Sequence, residues 1–310
     1  MSLGDGSRHW VEDALGSVVV AADPLSGGVA SRMLLVRVED GREAVLRQMV
    51  EDPWRAHAEA LLTRERDVHV LLASGAVPAP RTLALDVRGD STDGDPSLLM
   101  SRLPGRVDLV AARPESLAEA LLAIHAVRPQ PGEWPRRYES WAFESKRVVP
   151  PWSGDDGLYR EAFARLAEPA PPYDETFLHR DFHPANVLRH DGRVTGVVDW
   201  VETSTGPADL DVAHCVTNLA SLHGAEAARA FRCAYVDRGG VLERDPRASA
   251  YWQLLDLVAF LPGPSGRESG ATVDVIERTW RESGRPDLRV DVARARREDL
   301  LRDVLVGTTA

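Results

Sequence analysis

Residues 177–200 read FLHRDFHPANVLRHDGRVTGVVDW, and this stretch decides the fold. Asp181 is followed five residues later by Asn186, and Asp199 closes the apolar run that ends the stretch. The apolar residues on either side of His190-Asp191-Gly192 predict a β-hairpin, because that tripeptide is typical of a tight turn. A hairpin brings its two ends together. We therefore expect Asn186 and Asp199 to converge although thirteen positions separate them.

These residue types suit one kind of chemistry. Transfer of a phosphoryl group needs a carboxylate beside the attacking hydroxyl, and oxygen ligands for the Mg²⁺ that bridges the phosphates. Asp181 can supply the carboxylate, while Asn186 and Asp199 can supply oxygen ligands to the metal. The alternative is a chance cluster, since Asp and Asn also favour turns for purely conformational reasons.

The pattern H-x-D-x-x-x-x-N from His179 to Asn186, followed by the strand-terminal Asp199, resembles the aminoglycoside phosphotransferase and choline kinase superfamily, relatives of protein kinases. The resemblance covers nearly the whole chain. Further matching segments are Leu25–Gly28 (nucleotide loop), Val45–Arg47 (third strand), Leu99–Gly105 (hinge) and Gly206–Ala213 (the segment after the metal-binding aspartate).

The resemblance implies a role for each residue of the motif. Asp181 would be the catalytic base or would orient the acceptor hydroxyl, and Asn186 and Asp199 would hold Mg²⁺. Asp211, which the order of apolar residues favours over Asp209, would be a structural acid that steadies the catalytic loop through hydrogen bonds to the backbone or to His179. A structural, loop-bracing role is also the favoured interpretation of His179 itself. His183 is either a substrate contact or a buried, hydrogen-bonded histidine.

The resemblance also implies a site for ATP or GTP as the co-substrate. Gly27-Gly28 would let backbone N–H groups approach phosphate closely, although an ordinary tight turn explains the same residues. The segment from Met100 would present hinge backbone groups to the base. The residues implied in nucleotide binding are Ser26, Gly27, Gly28, Arg47, Glu65, Met100, Ser101 and Arg102.

Arg47 departs from the family pattern, which usually has a lysine there to hold the α- and β-phosphates. The first hundred residues contain no lysine that could replace it. Arginine keeps the charge and grips phosphate in a bidentate way, but it is bulkier and is not equivalent. Glu65 stands in a helical apolar stripe, so it needs a partner, and Arg47 is the natural one. The alternatives are a solvent-facing strand arginine and a glutamate at the edge of the stripe.

The order of elements predicts an α+β, protein-kinase-like, two-lobed fold. Residues 1–102 read as a β-rich nucleotide-binding lobe with a helix over Trp54–Ser74, and residues 103–310 as a larger helical lobe that binds substrate. The hinge is expected at about residues 100–105. The expected strands of the first lobe are Val18–Ala21, Met33–Glu39, Glu43–Val50, Thr82–Val87 and Ser97–Arg102.

Composition excludes several classes of protein. The net charge of −11 argues against a nucleic-acid-binding surface, which needs clustered positive charge. No apolar run approaches the roughly 18 to 20 residues that a membrane helix needs. Two cysteines, Cys215 and Cys233, without metal-like spacing, predict a reduced, cytoplasmic protein. The oligomeric state is not determined by the sequence.

Three functional hypotheses follow. The first is a small-molecule kinase that transfers the γ-phosphoryl group to a hydroxyl of a small acceptor, such as an aminoglycoside-like antibiotic or an amino alcohol. A protein kinase is disfavoured because Trp200-Val201 stands where Phe-Gly would follow the metal-binding aspartate. The second is a catalytically silent, nucleotide-binding pseudokinase, and the third is a ligand sensor. Retention of Asp181 with Asn186 and Asp199 favours the first.

Overall fold

The computed structural model describes residues 3–25, 31–263, 266–268 and 271–307. These residues form two compact units. The first contains the chain up to Arg106 together with Leu188–Glu202, and the second contains Val107–Val187 and the residues from Thr203 onward. The sequence indicated a division at residues 100–105, close to Arg106, where the chain first leaves the first unit. It gave no sign that Leu188–Glu202 belongs to the first unit.

The first unit is built on a five-stranded antiparallel sheet in the order β1-β2-β3-β5-β4. All five strands were expected, with ends that differ by a few residues. The expected helix over Trp54–Ser74 begins later, since Arg55–His57 forms a 3₁₀ turn. The elements are α1 (Asp5–Leu15), β1 (Val19–Pro24), β2 (Arg32–Val38), β3 (Glu43–Gln48), α2 (Ala58–Leu72), β4 (Thr82–Asp86) and β5 (Ser97–Ser101).

Both faces of this sheet are buried, each against a different helix. Successive side chains of a strand point to opposite faces. Leu46 and Leu99 therefore join the apolar cluster that includes Val11 of α1, whereas Leu98 and Met100 join the cluster of α2. The sheet is thus a packed central layer, and the α2 face carries the polar residues described below.

Helix α1 was not predicted, because residues 1–10 read as polar. The first N–H groups of a helix have no partner within it. Here the side chain of Asp93 accepts hydrogen bonds from the backbone N–H of Gly6 and of Ser7, both at 2.8 Å. A capping residue 86 positions away gives no local signal in the sequence.

The second unit is mainly helical. The class expected from the sequence, α+β with a β-rich first part and a helical second part, is confirmed.

The remaining elements of both units, in chain order, are β6 (Arg106–Val107), α3 (Pro114–His125), α4 (Asp156–Leu166), β7 (Thr176–Leu178), β8 (Val187–His190), β9 (Arg193–Val197), β10 (Ser204–Gly206), α5 (Ala208–His223), α6 (Ala225–Asp237), α7 (Pro246–Ala259), α8 (Val273–Glu282) and α9 (Val290–Gly307).

Helix α5 is the centre of the second unit. It is buried over most of its length and packs against α6, α7 and α9. Strands β7 and β10 form a short antiparallel pair. Strand β7 ends just before the loop that starts at His179, and β10 ends just before α5. Among the described residues, no helix combines the length and the apolar character needed to cross a membrane.

Candidate active site

Arg47, Glu65 and Asp199, which we call the Arg47 cluster, lie together in the first unit. Arg47 lies two residues from Val45 and two from Met49, which both pack in the α2 cluster, so its side chain points to the face covered by α2. Its Nε lies 3.3 Å from Glu65 Oε2, and its Nη1 donates a 3.0 Å hydrogen bond to Asp199 Oδ1. The pairing of Arg47 with Glu65 expected from the sequence is therefore present, and Asp199 is a second partner that the sequence did not indicate.

Burial controls the electrostatics of this cluster. Glu65 is fully buried, and its burial raises the pKa to about 7, against the opposing charge of Arg47. Burial alone would lower the pKa of Arg47, but the carboxylates of Asp199 and Glu65 outweigh it and raise the pKa. Asp199 differs from Glu65 because 28% of its side chain is exposed. The cluster thus presents one carboxylate to solvent and keeps the other as a buried partner of the guanidinium.

The loop from His179 to Asn186 lies in the second unit and is held by Asp211. Near the start of α5, Asp211 accepts hydrogen bonds from the backbone N–H of His179 (2.8 Å) and of Arg180 (2.7 Å). Arg180 has a positive φ of 74°, which a non-glycine residue adopts only when its surroundings hold it there. Contact of Asp211 with the loop backbone was one of the two expectations from the sequence.

His125, on α3, also contacts the carboxylate of Asp211. His125 Nε2 lies 3.2 Å from Asp211 Oδ2, and His125 Nδ1 lies 2.6 Å from the hydroxyl of Tyr235. Burial alone would raise the pKa of Asp211, but the hydrogen bond from His125 and neighbouring charges lower it. Asp211 is therefore an ionised, fully buried acceptor that orders the loop.

Asp181 is fixed at both carboxylate oxygens. Its Oδ1 lies 3.0 Å from His214 Nε2, and its Oδ2 accepts a 3.0 Å hydrogen bond from Asn186 Nδ2. The amide of Asn186 also donates to the backbone carbonyl of Asp181 at 2.9 Å. His179 Nδ1 accepts from the Asp181 N–H at 3.3 Å, in keeping with the bracing role expected for this histidine. The H-x-D-x-x-x-x-N motif is thus a closed network of hydrogen bonds.

Asp181 is an anion in this network. Burial alone would raise its pKa, but the hydrogen bond with His214 and the charges of nearby histidines outweigh burial and lower the pKa. The side chain nevertheless keeps 28% of its surface exposed. His183 is also partly exposed, with its Nε2 3.9 Å from Asp181 Oδ1. A carboxylate that is ionised, oriented and reachable can accept a hydrogen bond from a hydroxyl.

His214 and Asp256 were not among the residues predicted from the sequence. His214, on α5, places its Nδ1 2.8 Å from Asp256 Oδ1 on α7. Burial alone would lower the pKa of His214, but the carboxylates of Asp256 and Asp181 raise it to about 10. Asp256 stands inside the apolar run from Leu254 to Val258, and a lone acid in such a run requires a buried partner. That signal was available, although it does not say which residue is the partner.

The contacts of the remaining predicted nucleotide-binding residues do not reveal a role in binding nucleotide. Met100 is buried in the core on the α2 face, and the Ser101 N–H donates to Arg81 O at 2.8 Å within the sheet. The side chain of Arg102 pairs with Glu43. Ser26, Gly27 and Gly28 lie outside the described residues. The nucleotide-binding role of this set stays a prediction.

Comparison with known proteins identifies the family. The model of the phosphotransferase enzyme family matches residues 22–252, which is most of the chain. No curated protein matches.

Solved structures agree in fold. Aminoglycoside phosphotransferase APH(4)-Ia is 21% identical with a TM-score of 0.60, covering 96% of this chain and 98% of that one. A phosphotransferase described as a putative aminoglycoside enzyme of Ralstonia eutropha is 16% identical with a TM-score of 0.64, covering 98% of both chains. Macrolide 2′-phosphotransferase MphH of Brachybacterium faecium is 19% identical with a TM-score of 0.59, covering 90% and 98%.

At these identities the likeness shows the fold alone, and it confirms the kinase-like fold expected from the sequence. A thermostable mutant of APH(4)-Ia has been solved in a ternary complex with ADP and hygromycin B. The family match, which spans well over half of the chain, goes further than the fold. The chain belongs to the phosphotransferase enzyme family.

Proposed function

We propose that this protein is a small-molecule kinase that transfers the γ-phosphoryl group of a magnesium nucleotide to a hydroxyl of a small acceptor. The observation that carries the proposal is the state of Asp181. Its carboxylate is ionised, partly exposed and held at both oxygens by Asn186 and His214. A carboxylate so held is suited to accept or align the proton of an attacking hydroxyl.

The candidate metal ligands fit a magnesium ion by their chemistry. Asn186 donates two amide hydrogen bonds to Asp181, so its carbonyl oxygen is the atom that can bind a cation. Asp199 uses Oδ1 to accept from Arg47, and because its side chain is partly exposed we assign Oδ2 to the cation. Amide and carboxylate oxygens are the ligands that Mg²⁺ prefers. When bound, Mg²⁺ would neutralise charge on the β- and γ-phosphates.

Arg47 is proposed to bind the α- and β-phosphates in place of the usual lysine. A guanidinium has five N–H donors, and the two observed contacts involve only Nε and Nη1. The proposal assigns the remaining N–H donors to phosphate, while Nε and Nη1 keep their carboxylate partners. An arginine that keeps the positive charge at this position supports a working nucleotide site over the silent pseudokinase.

The acceptor is proposed to be an aminoglycoside-like antibiotic, a macrolide or an amino alcohol. APH(4)-Ia in complex with ADP and hygromycin B and the macrolide enzyme MphH share the fold. The test is release of ADP or GDP from MgATP or MgGTP in the presence of a panel of aminoglycosides, macrolides, amino alcohols and sugars. D181N serves as the blank. D191N, at an exposed turn position, is the matched Asp-to-Asn control.

Acceptor-dependent release that D181N lacks and D191N keeps is the expected result, and it would identify the substrate class. Undiminished release by D181N would remove Asp181 from the mechanism. No release of ADP or GDP with any acceptor, together with undetectable MgATP binding, would favour the pseudokinase.

The metal ligand is tested separately. D199A should abolish the Mg²⁺ dependence of nucleotide binding, and tight metal-dependent binding in that variant would contradict the assigned ligand.

A further inference from the structure

His214 lies between two carboxylates in the second unit. Its Nε2 is 3.0 Å from Asp181 Oδ1, and its Nδ1 is 2.8 Å from Asp256 Oδ1. We propose that His214, held by Asp256, is a positioning residue of the phosphotransfer site, which fixes the Asp181 carboxylate in the orientation that meets the acceptor hydroxyl. This inference rests on the proposed function and adds two residues to it.

The direction of the two hydrogen bonds follows from the partners. An ionised carboxylate only accepts, so a ring nitrogen at 3.0 Å or 2.8 Å from one donates its proton. Asn218 Nδ2 also lies 3.3 Å from Nε2, but an Nε2 that donates to Asp181 at the shorter distance of 3.0 Å cannot accept, and the Asn218 amide donates instead to the backbone carbonyl of His214 at 2.9 Å. An imidazolium has two N–H groups, and both are used. His214 therefore has no donor left for a substrate and acts through Asp181.

Two donors on separate oxygens determine the plane of the Asp181 carboxylate. His214 holds Oδ1 and Asn186 holds Oδ2, so rotation of the carboxylate about its Cβ–Cγ bond breaks both contacts. Each oxygen keeps a second lone pair for a hydroxyl proton. Orientation matters because a displacement of about 1 Å in a reacting group costs about 100-fold in rate.

Asp256 completes the arrangement from the buried side. Its side chain has no exposed surface, and apolar residues of α7 surround it in sequence. A carboxylate in that position is costly unless it is paired. Its hydrogen bond to Nδ1 fixes the ring so that Nε2 points at Asp181, as a carboxylate behind a functional histidine commonly does.

A matched pair of amide substitutions separates positioning from packing. In H214Q the side-chain nitrogen reaches the place of Nε2 and can still donate to Asp181, whereas in H214N it reaches only the place of Nδ1. With MgATP and the acceptor found in the panel, kcat of H214N should fall about 100-fold with the KM for MgATP unchanged. H214Q should keep most of the turnover, although it leaves Asp256 without its donor and should unfold at a lower temperature than H214N. Equal losses in the two variants, or losses that follow the unfolding temperature, would overturn the positioning role.

A spectroscopic measurement tests the contact without any acceptor. In protein with ¹⁵N-labelled histidine, His214 should give two far-downfield ring N–H resonances, assigned by their absence in H214N. D181N should move the Nε2–H signal and D256N the Nδ1–H signal. Failure to observe the Nε2–H signal would overturn the proposal.

Two further results are decisive. Asp181, His183 and His214 offer ligand atoms within 4.8 Å of one another. A stoichiometric Zn²⁺ in the purified protein that H214N releases would make Nε2 a metal ligand and overturn the donor assignment. A wild-type protein that shows both resonances but neither binds MgATP nor turns over with any acceptor would reject phosphotransfer, and the positioning role with it. An active wild type with undiminished H214N would reject the positioning role alone.

Discussion

Each unit of this protein holds a buried cation between two carboxylates. In the Arg47 cluster the cation is a guanidinium between Glu65 and Asp199, and in what we call the Asp181 cluster (Asp181, His214, Asp256) it is an imidazolium. In both, one carboxylate is fully buried and the other keeps 28% of its side chain exposed. The exposed one, Asp199 or Asp181, is the residue to which the proposed function gives a chemical role.

The difference lies in the cation. The guanidinium stays charged at every accessible pH, and the proposed function assigns to phosphate the donors beyond those given to its carboxylates. The imidazolium has two donors, both used, and it can lose its charge. The first cluster is therefore suited to binding a ligand, and the second to holding one catalytic group in place. This difference predicts distinct consequences for mutation and pH.

The largest loss of activity is expected from replacement of Asp181, the carboxylate proposed to contact the acceptor hydroxyl. D181N should lower kcat by about 1,000-fold, within the range for loss of a positioned acid or base. Nucleotide binding should change little, because the assigned phosphate contacts lie in the other cluster. Steady-state ADP release and a titration with MgATP measure the two quantities. Loss of nucleotide affinity equal to the loss of turnover would break the division of roles between the clusters.

Removal of the guanidinium should affect both folding and binding. R47A leaves Glu65 buried without its partner, which typically costs about 3 to 5 kcal/mol of unfolding free energy. The same variant should weaken MgATP binding, while R47K, which keeps the charge, should lose less of each. R55A is the matched control, since Arg55 pairs with Asp95 near the surface and should contribute at most about 1 kcal/mol. Similar denaturant midpoints for R47A and R55A would contradict the buried-pair interpretation.

The Asp181 cluster should lose stability in alkaline solution. The pKa of His214 is raised to about 10, so the folded state keeps a proton that the unfolded state releases above its own pKa of 6.5. The stabilisation is complete below the unfolded value and is lost as pH rises towards the folded one. The unfolding free energy of the wild type should therefore fall between pH 7 and 10, by at most about 1.4 kcal/mol per pH unit.

The comparison protein for this measurement is H214Q, which has no titrating group at that position and should show a flatter profile. Parallel profiles for wild type and H214Q would show that His214 is neutral in the folded protein.

The Arg47 cluster should respond in a lower pH window, with a smaller effect. Burial raises the pKa of Glu65 from 4.5 to about 7, so protonated Glu65 stabilises the fold below the lower value and this contribution is lost as pH rises through the upper one. Urea unfolding of wild type and E65Q between pH 4.5 and 7 measures the difference. A wild-type profile as flat as that of E65Q would contradict the raised pKa. If wild type departs from E65Q and from H214Q in separate pH ranges, the contrast between the clusters is sharpened.

The sequence predicted much of this molecule because the signals were local. The five strands of the first sheet were visible as apolar runs, and the stripe of α2 indicated that Glu65 needed a partner. The family resemblance implied that Asp211 holds the catalytic loop through the backbone or His179, and the structure shows the backbone of residues 179 and 180 as its partner. Helix α1 was missed because Asp93, which caps it, lies 86 residues away.

By itself, the sequence determined the α+β class and the motif from His179 to Asn186, since periodicity and spacing along the chain record these features. It favoured Arg47 as the partner of Glu65 but left a surface arginine as the alternative, and the structure decided between them. The tertiary structure alone decided that Leu188–Glu202 returns to the first unit and that Asp199 joins Arg47. It also decided that His214 links Asp181 to Asp256. A buried ion requires some partner, but any oppositely charged side chain satisfies that requirement equally well in a sequence. Only the packing of helices and strands selects which one it meets.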